Sequence, residues 1–519
     1  MAERRLHGLQ RVLGVNALFS TAYGNVGSSI YYALGLVASF ALGLTPVVFV
    51  ITGVIFYLTA ATYAEATAMY PEAGGSSSFA RRAFNEFWSF FAAWGQMLNY
   101  IITVAISAFF VPHYLGVFWD PLGESPADIV GGIIVVVLLG ALNVVGVKES
   151  AGLNVFLALA DFFTQLALVV LGMVLVFSPE TLVNNVDFGV SPTITDFLIA
   201  IPVGMVAYTG IETISNMAEE ARDYGRTIPR GIGGVVVAVF AIYAFLPSVA
   251  LSAMPVRDGE TLLALSKEDG GYADDPILGV VANMDLGPLQ GAAEIYVGIL
   301  AATILFIATN AGMIGVSRLT YSMGQYRQLP EGLRALHPKF RTPYVAIMVF
   351  GLVACVTILP GKADFLGTIY AFGAMLSFTI AHLAVIALRI KQPDMERPYR
   401  GPGSIRVRGY ALPLFAVVGG LGTGIAWIVV TVLSLETLVA GAIWLTLGIG
   451  TYVIFRRRHG LSLTKTHKVV MPKPVVEHEV EYESVLVAFE DGHYSADAVA
   501  VAVRLAARRR RGIHVLVMI

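Results

Sequence analysis

Two hydrophobic stretches of the sequence, residues 13–40 and 194–219, are each interrupted near the middle by small and polar residues. The first interruption reads Tyr-Gly-Asn-Val-Gly-Ser-Ser-Ile-Tyr over residues 23–31, and the second reads Ala-Tyr-Thr-Gly-Ile-Glu over residues 207–212. Breaking a helix frees backbone amides and carbonyls, and the ends of the two half-helices add partial charge. Amides can bind a carboxylate and carbonyls can bind an ammonium, so the two breaks predict a binding site for a zwitterion.

The predicted substrate-binding residues come from both breaks. They are Val26, Gly27, Ser28 and Ser29 from the first, and Val206, Tyr208, Thr209, Gly210 and Ile211 from the second. We expect the amides of residues 27–29 and the Ser28 hydroxyl to hold a carboxylate, and the carbonyls near Val26, Val206 and Tyr208 to hold an ammonium. The alternative is that the glycines only allow helices to approach closely, which is a common role of small residues in membranes.

Four ionisable residues lie in or beside apolar stretches. Asp161 lies inside the fifth apolar stretch of the chain, at residues 151–177. An acid there costs several kcal/mol unless it is paired or protonated. It is either a coupling group for a proton or sodium, or an acid hydrogen-bonded to Gln165. Glu65 is interpreted as an inner gate with Arg318 or Arg81, or as a solvated charge, and Glu212 as an outer gate residue or a cap of its half-helix.

The elements that position these residues are membrane helices. The chain has 519 residues, of which 56% are hydrophobic and 13% charged, with mean hydropathy +0.72. Apolar runs of about 20 residues, enough to cross a bilayer, predict twelve transmembrane helices in an all-α polytopic protein. Unwound backbone survives at membrane depth only where it lines a cavity or binds a ligand. Breaks in the first and sixth helices therefore point to a midplane substrate site in an inverted-repeat transporter.

Basic residues alternate between the loops of this twelve-helix arrangement. One side holds Arg4, Arg5, Arg11, Arg81, Arg82, Lys148, Arg222, Arg226, Arg230, Arg327, Arg334, Lys339, Arg341, Arg389, Lys391, Arg397, Arg400, Arg406, Arg408 and Arg456–Arg458, whereas the other holds Arg257, Lys267 and Lys362. Positive loops face the cytoplasm. We therefore expect a multi-pass protein of the cell membrane with both termini cytoplasmic.

Motifs around the breaks resemble the amino acid, polyamine and organocation (APC) superfamily. Val-Gly-Ser-Ser-Ile-Tyr at 26–31 resembles its first helix, with Ser29 in place of a glycine, and Tyr-Thr-Gly-Ile-Glu at 208–212 resembles its sixth. Further similar motifs are Tyr-Ala-Glu at 63–65 with Gly74-Gly75, Ser317-Arg318 with His337-Pro338, and Arg397-Pro398-Tyr399. The resemblance covers residues 8–455.

The resemblance implies a five-plus-five inverted repeat (LeuT-like) with helices 1 and 6 broken and two helices added. It implies a secondary transporter of amino acids, coupled to protons or sodium, that requires no cofactor. Proton-coupled relatives carry a lysine at the position of Asp161, so the coupling group has changed sign. Relatives often have a bulky aromatic residue at the position of Val206. In this chain Phe306 or Tyr100 would supply that aromatic ring.

Two other functions remain open. A potassium-uptake branch of the superfamily resembles residues 20–24, but it carries an acid where this chain has Asn16. The second alternative is a membrane sensor, suggested by the tail. An enzyme is not expected, because no nucleophile-base pair or metal-ligand cluster appears at a motif spacing. The single cysteine, Cys355, rules out an internal disulfide and indicates no metal cluster. No metal and no nucleic-acid partner are expected. The bilayer and a small molecule are the expected partners; the oligomeric state stays open.

The predicted domains are a transporter domain at 1–458, a linker at 459–480 and a partial β-α-β segment at 481–519. The segment resembles the opening of a universal stress protein, with Glu490 or Asp491 at the end of its first strand. It ends before that family's phosphate loop, so nucleotide binding is not expected from this segment alone.

Overall fold

The computed structural model describes residues 13–146, 151–184, 186–187, 189–340, 342–407, 409–469, 484–490, 495–509 and 512–518. The chain divides into two compact units, Met1–Lys468 and Val469–Ile519. Several sequence predictions lie outside the described residues: those on Arg4, Arg5, Arg11, Lys148, Arg341, Arg408 and Asp491, and on linker residues 470–480.

The first half of the larger unit is a series of helices. They are α1 (Val15–Gly27), α2 (Ile30–Ala41), α3 (Thr45–Met69), α4 (Ser76–Ala83), α5 (Glu86–Leu115), α6 (Ala127–Val145), α7 (Ala151–Leu175), α8 (Pro179–Asn184), α9 (Ile194–Val206) and α10 (Glu212–Asn216). The predicted stretches 13–40 and 194–219 are thus each two helices. The breaks at 28–29 and 207–211 fall within the predicted interruptions.

The second half contains helices and one hairpin. They are α11 (Tyr224–Tyr243), α12 (Leu246–Ala253), α13 (Pro276–Ala282), α14 (Gln290–Gln325), α15 (Tyr344–Ile358), α16 (Ala363–Lys391), β1 (Ser404–Val407), β2 (Tyr410–Pro413), α17 (Leu414–Leu433) and α18 (Leu435–Arg458). Strands β1 and β2 pair antiparallel. This hairpin was not predicted from the sequence.

Local chemistry fixes several helix ends. The side chains of Asn85, Thr193 and Ser434 accept backbone N–H bonds at the starts of α5, α9 and α18, which satisfies amides that have no partner within a helix. Helix α6 ends at Gly146, whose φ of 81° lies in the left-handed region that suits glycine.

Nine segments of the described chain are long and apolar enough to cross a membrane, and the first of them, Val15–Met69, contains α1, α2 and α3. Helices α9 and α15 are shorter apolar helices. Each of the twelve predicted spans contains helix, but the count of twelve crossings stays a prediction. Helix α5 is the most enclosed segment, with 94% of its apolar window buried, and it lies beside both α14 and α16.

The smaller unit is described from three elements, β3 (Ser484–Glu490), α19 (Ala496–Arg509) and β4 (Gly512–Met518). The two strands pair in parallel. One sheet face, with Val487 and Phe489, is buried together with Ala502 of the helix. This agrees with the predicted β-α-β order.

Candidate functional site

The first break is short and nearly helical. Ser28 and Ser29 separate α1 from α2, and both keep right-handed helical angles, with φ of −64° and −69°. The Ser29 amide donates to the carbonyl of Val26 at 3.1 Å, and the Ser28 hydroxyl donates to the carbonyl of Asn25 at 2.9 Å. These two groups, predicted to hold a carboxylate, are therefore bonded within the break itself.

Neighbouring helices supply polar side chains to the carbonyls of the first break. The Tyr243 hydroxyl on α11 donates to the Val26 carbonyl at 2.8 Å. On α7, the Gln165 amide donates to the Gly27 carbonyl at 3.2 Å. A buried carbonyl left unpaired is unfavourable by about 1–3 kcal/mol, so both contacts stabilise the break.

The second break is longer and more distorted. Residues 207–211 separate α9 from α10, and Gly210 has φ of 115°. Its amide donates to Oε2 of Glu212 at 3.0 Å. Oε1 of the same carboxylate accepts from Asn99 on α5 at 2.8 Å. The Glu212 carboxylate therefore joins the backbone of the second break to α5.

Side chains of the second break also bond outward. The Tyr208 hydroxyl donates to the carbonyl of Phe49 on α3 at 2.6 Å. The Thr209 hydroxyl lies 2.7 Å from the hydroxyl of Tyr370 on α16, which also accepts from Thr103 on α5 at 2.7 Å. Tyr370, Thr103 and Tyr243 were missed by the sequence reading, because they lie in apolar helices far from the breaks in sequence.

The two breaks touch each other. The Asn25 side chain donates from Nδ2 to the Thr213 hydroxyl at 2.8 Å. A Cβ added at Gly210 would lie 3.0 Å from Nδ2 of Asn25, so the backbone of the second break rests directly on the first. All nine predicted substrate-binding residues are buried, and the structure brings the two predicted clusters into one enclosed region.

The predicted aromatic replacements for Val206 occupy different environments. Tyr100 is buried, and its hydroxyl accepts from Asn216 at the end of α10. Phe306 on α14 is half-buried. The aromatic rings at the second break are instead those of Phe56 and Tyr243, whose centroids lie 5.1 Å and 5.2 Å from that of Tyr208.

Asp161 lies beside the first break and is almost fully buried. Its carboxylate accepts from the Tyr31 hydroxyl at 2.6 Å and from Gln165 at 2.9 Å and 3.0 Å. A Cβ at Gly27 would lie 3.2 Å from its Oδ2. Among the basic groups of the described chain, none lies within ion-pair distance of Asp161. The hydrogen bond to Gln165, which the sequence suggested as the alternative to a coupling role, is present.

The predicted pairing of Glu65 with Arg318 or Arg81 is wrong in this structure. Arg389 at the end of α16 donates from Nε and Nη2 to the two oxygens of Glu65, at 2.8 Å and 2.5 Å, and Arg397 lies 3.6 Å away. Arg318 is exposed on α14, whereas Arg81 lies 3.4 Å from Glu86. The reason is that α16 ends beside α3, a contact that sequence spacing does not reveal.

Backbone contacts close the basic side of the bundle beneath the breaks. Leu13, just before α1, donates to the carbonyl of Glu220 at 2.9 Å and accepts from Arg222 at 3.0 Å; we call this pair of bonds the backbone clasp. The amides of Ala73 and Gly74 donate to the side chains of Glu219 and Asn216, at 3.1 Å and 3.2 Å. The clasp and these loop contacts were not predicted.

Residues 13–455 match the amino acid permease family. The chain belongs to this family. It is 31% identical over 369 residues to an uncharacterized transporter of Mycobacterium tuberculosis, covering 69% of this chain and 76% of the relative. A branched-chain amino acid permease of Bacillus subtilis is 24% identical, with coverage of 87% and 94%. A methylthioribose transporter of Bacillus subtilis is 25% identical, with coverage of 89% and 96%.

Family membership settles the class of this permease. It is a multi-pass membrane transporter and not an enzyme. The match is to an amino acid permease family within the predicted APC superfamily. It ends at residue 455 and gives the resemblance of the tail to universal stress proteins no support.

Proposed function

We propose that this permease is a secondary active transporter that moves amino acids across the cytoplasmic membrane by alternating access, with the substrate held between the two breaks. The observation that carries the proposal is the direct contact of the breaks through Asn25, Thr213 and Gly210. Two buried interruptions that meet inside a bundle of apolar helices provide unwound backbone at membrane depth, which is tolerated where it serves a site.

Binding would exchange bonds within the protein for bonds to the substrate. The Val26 carbonyl, now bonded to Tyr243 and the Ser29 amide, is placed to accept an ammonium. The Ser28 hydroxyl and the amides of residues 27–29 are the proposed carboxylate donors. Each exchange keeps the group of the break hydrogen-bonded, as buried polar groups require.

Membership of the family leaves the cargo open, since one relative is named for branched-chain amino acids and another for methylthioribose. We favour amino acids because the breaks offer both donors and acceptors at the backbone. A thermal-shift screen of the common amino acids and methylthioribose, at two pH values and with and without sodium, tests this choice directly. If methylthioribose alone stabilises the protein, methylthioribose and not an amino acid is the cargo.

Flux separates the three candidate functions. In proteoliposomes, we expect a radiolabelled amino acid found in the screen to accumulate against its gradient. Rubidium uptake without amino acid uptake would favour the cation transporter, and stabilisation by a ligand that never crosses the membrane would favour the sensor. Liposomes that contain the Gly210→Ala protein provide the background.

We further propose Asp161 as the group that couples transport to a proton or to sodium. It is buried beside the first break and hydrogen-bonded to Tyr31 on α2 and Gln165 on α7, so a change in its charge would be felt on both sides of the break. Asp161→Asn should abolish accumulation driven by an ion gradient while exchange of substrate across the membrane persists. Transport that keeps its full pH and sodium dependence would reject this role.

The matched control for this substitution is Tyr31→Phe. It removes one donor to Asp161 but keeps the carboxylate, so the variant should remain coupled with an altered apparent affinity for the ion. Loss of coupling in both variants would indicate that the hydrogen-bond network, and not the charge, is required.

The proposed orientation places both termini and the basic loops in the cytoplasm, with the first and sixth helices in equivalent halves of a five-plus-five repeat. Two single-cysteine variants, Asp394→Cys and Glu268→Cys, test this orientation in a background where Cys355 is replaced by Ser. The measurement is the accessibility of each cysteine to a membrane-impermeant reagent. Labelling of the cysteine at 394 from outside intact cells would invert the arrangement.

A further inference from the structure

The hairpin between α16 and α17 has two chemically distinct faces. Its strands pair Ile405 with Leu412 and Val407 with Tyr410. Directly opposed residues in a hairpin share a face, and so do residues two apart along a strand. One face therefore carries Ile405, Val407, Tyr410 and Leu412. The other carries Arg406 and Ala411 with Ser404.

The described part of the chain leaves most of the apolar face exposed. Ile405 is 50% exposed, Val407 44% and Tyr410 45%. The opposite face turns toward the protein at its base, where Arg389 of α16 donates to the Ser404 hydroxyl at 2.6 Å. A group of exposed apolar side chains on one face of a short hairpin is the signature of a contact surface.

The hairpin continues directly into a membrane helix. Strand β2 ends at Pro413 and α17, one of the nine apolar spans, begins at Leu414. The exposed apolar face therefore starts where the chain enters the hydrocarbon region. This continuity makes the lipid surface the nearest apolar medium for these side chains.

The charge around the hairpin is positive. Between positions 389 and 408 the sequence has six basic residues, at 389, 391, 397, 400, 406 and 408, against two acids, Asp394 and Glu396. Arg389 and Arg397 face Glu65. Lys391, Arg400 and Arg406 are exposed, so the solvent-facing charge suits an anionic surface. Anionic headgroups attract such segments by about 1 kcal/mol per basic residue near the surface.

We propose that this hairpin is an interfacial lipid-binding element, which inserts its apolar face into the leaflet on the basic side and holds anionic headgroups with its exposed basic residues. The proposal takes that side as cytoplasmic, as in the orientation proposed above. The hairpin is also tied to the bundle, because the Gly401 amide donates to Oε2 of Glu65 at 2.9 Å and Arg389 contacts both Glu65 and Ser404. Lipid bound at the hairpin therefore acts on the ends of α3 and α16.

Depth-dependent fluorescence quenching tests the insertion. In a Cys355→Ser background, Ile405→Cys carries a fluorophore, and Asp394→Cys in the same loop is the matched aqueous reference. In nanodiscs with nitroxide-labelled acyl chains and phosphatidylglycerol, we expect the label at 405 to be quenched at least about twofold more than that at 394. In phosphatidylcholine alone the difference should shrink.

Equal quenching at 405 and 394 in both lipids would overturn the proposal. So would equal quenching of the labels at 405 and 394 by aqueous iodide in anionic nanodiscs, because both side chains would then lie in water.

The charge requirement is tested by the pair Arg400→Gln and Arg406→Gln, at two exposed positions. This double variant should lose most of the extra quenching in anionic nanodiscs. A matched pair, Arg457→Gln and Arg458→Gln, removes the same charge from exposed positions at the end of α18 and should keep it. Equal losses in both pairs would mean that net charge, and not the hairpin, attracts the lipid. Neither readout depends on transport, so failure of the proposed cargo leaves this test intact.

Discussion

The two breaks solve the same problem by different means. In the first, two residues keep helical angles, and side chains from α7 and α11 bond the freed carbonyls. In the second, five residues depart from the helix around a glycine with φ of 115°, and Glu212 at the start of the following half-helix bonds the freed amide. Two carbonyls of the first break accept from side chains of neighbouring helices, whereas an amide of the second break donates to Glu212, only two residues away.

This difference assigns the two breaks different sensitivities. A change in α7 or α11 reaches the first break directly, because Gln165 and Tyr243 hold its carbonyls. The second break should respond chiefly to changes in its own residues. The first break is therefore the better place for coupling, and the second the better place for a fixed backbone frame.

Gly210→Ala should have the largest effect. An alanine at φ of 115° is strained, by about 3 kcal/mol at the upper end for such positions, and its Cβ would also press on Asn25. We expect transport to be lost and the melting temperature to fall. Gly24→Ala is the control, because a Cβ there would meet only Ala158 at 3.7 Å. If Gly24→Ala reduces transport and the melting temperature as much as Gly210→Ala does, the contrast between the breaks is contradicted.

Tyr243→Phe should have the next largest effect. It removes one of the two donors to the Val26 carbonyl, a bond worth about 1 kcal/mol, and leaves that carbonyl bonded to the Ser29 amide alone. We expect a changed substrate affinity in binding titrations. Tyr208→Phe removes an equivalent hydroxyl from the second break and should lower thermal stability with little change in affinity. If Tyr243→Phe instead lowers thermal stability and Tyr208→Phe changes substrate affinity, the roles assigned to the two breaks are reversed.

Asn25→Ala should have a smaller effect, because it cuts one neutral bond between the breaks, worth about 0.5–1.5 kcal/mol. Thr213→Val removes the partner of the same bond. In a double-mutant cycle on melting temperature and initial flux, the double variant should cost little more than either single variant. Full additivity would mean that the contact does not join the breaks energetically.

Ser28→Ala should have the smallest effect on stability, since the hydroxyl bonds only to a carbonyl three residues earlier. If that hydroxyl also binds the substrate carboxylate, KM should rise by about tenfold or more, as expected for a hydrogen bond to a charged group, worth about 1.5–3 kcal/mol. Ser20→Ala, which lies earlier in α1, is the control. An unchanged KM would remove Ser28 from the binding site.

The sequence was informative where the signal is local. Small and polar residues within an apolar run located both breaks, whereas the β-α-β order of the tail was expected only from its resemblance to the opening of a universal stress protein. The hairpin at 404–413 was missed because each strand has only four residues, too few for a period of two to stand out among arginines.

Partners distant in sequence could not be predicted. Glu65 and Arg389 are 324 residues apart, and the sequence offered several arginines on the same side with no basis for choosing between them. Tyr243 and Tyr370 carry no motif, since a tyrosine in an apolar helix is ordinarily a packing residue. Their roles follow from which helices lie side by side.

The backbone clasp has a consequence for how often the permease opens. It joins the segment before α1 to the segment after α10 by two hydrogen bonds, so these half-helices separate only when both bonds are broken. At about 0.5–1.5 kcal/mol net for each bond, the clasp alone would lower the population of a separated state by roughly five- to 150-fold. The segment before α1 and the segment after α10 therefore stay joined most of the time.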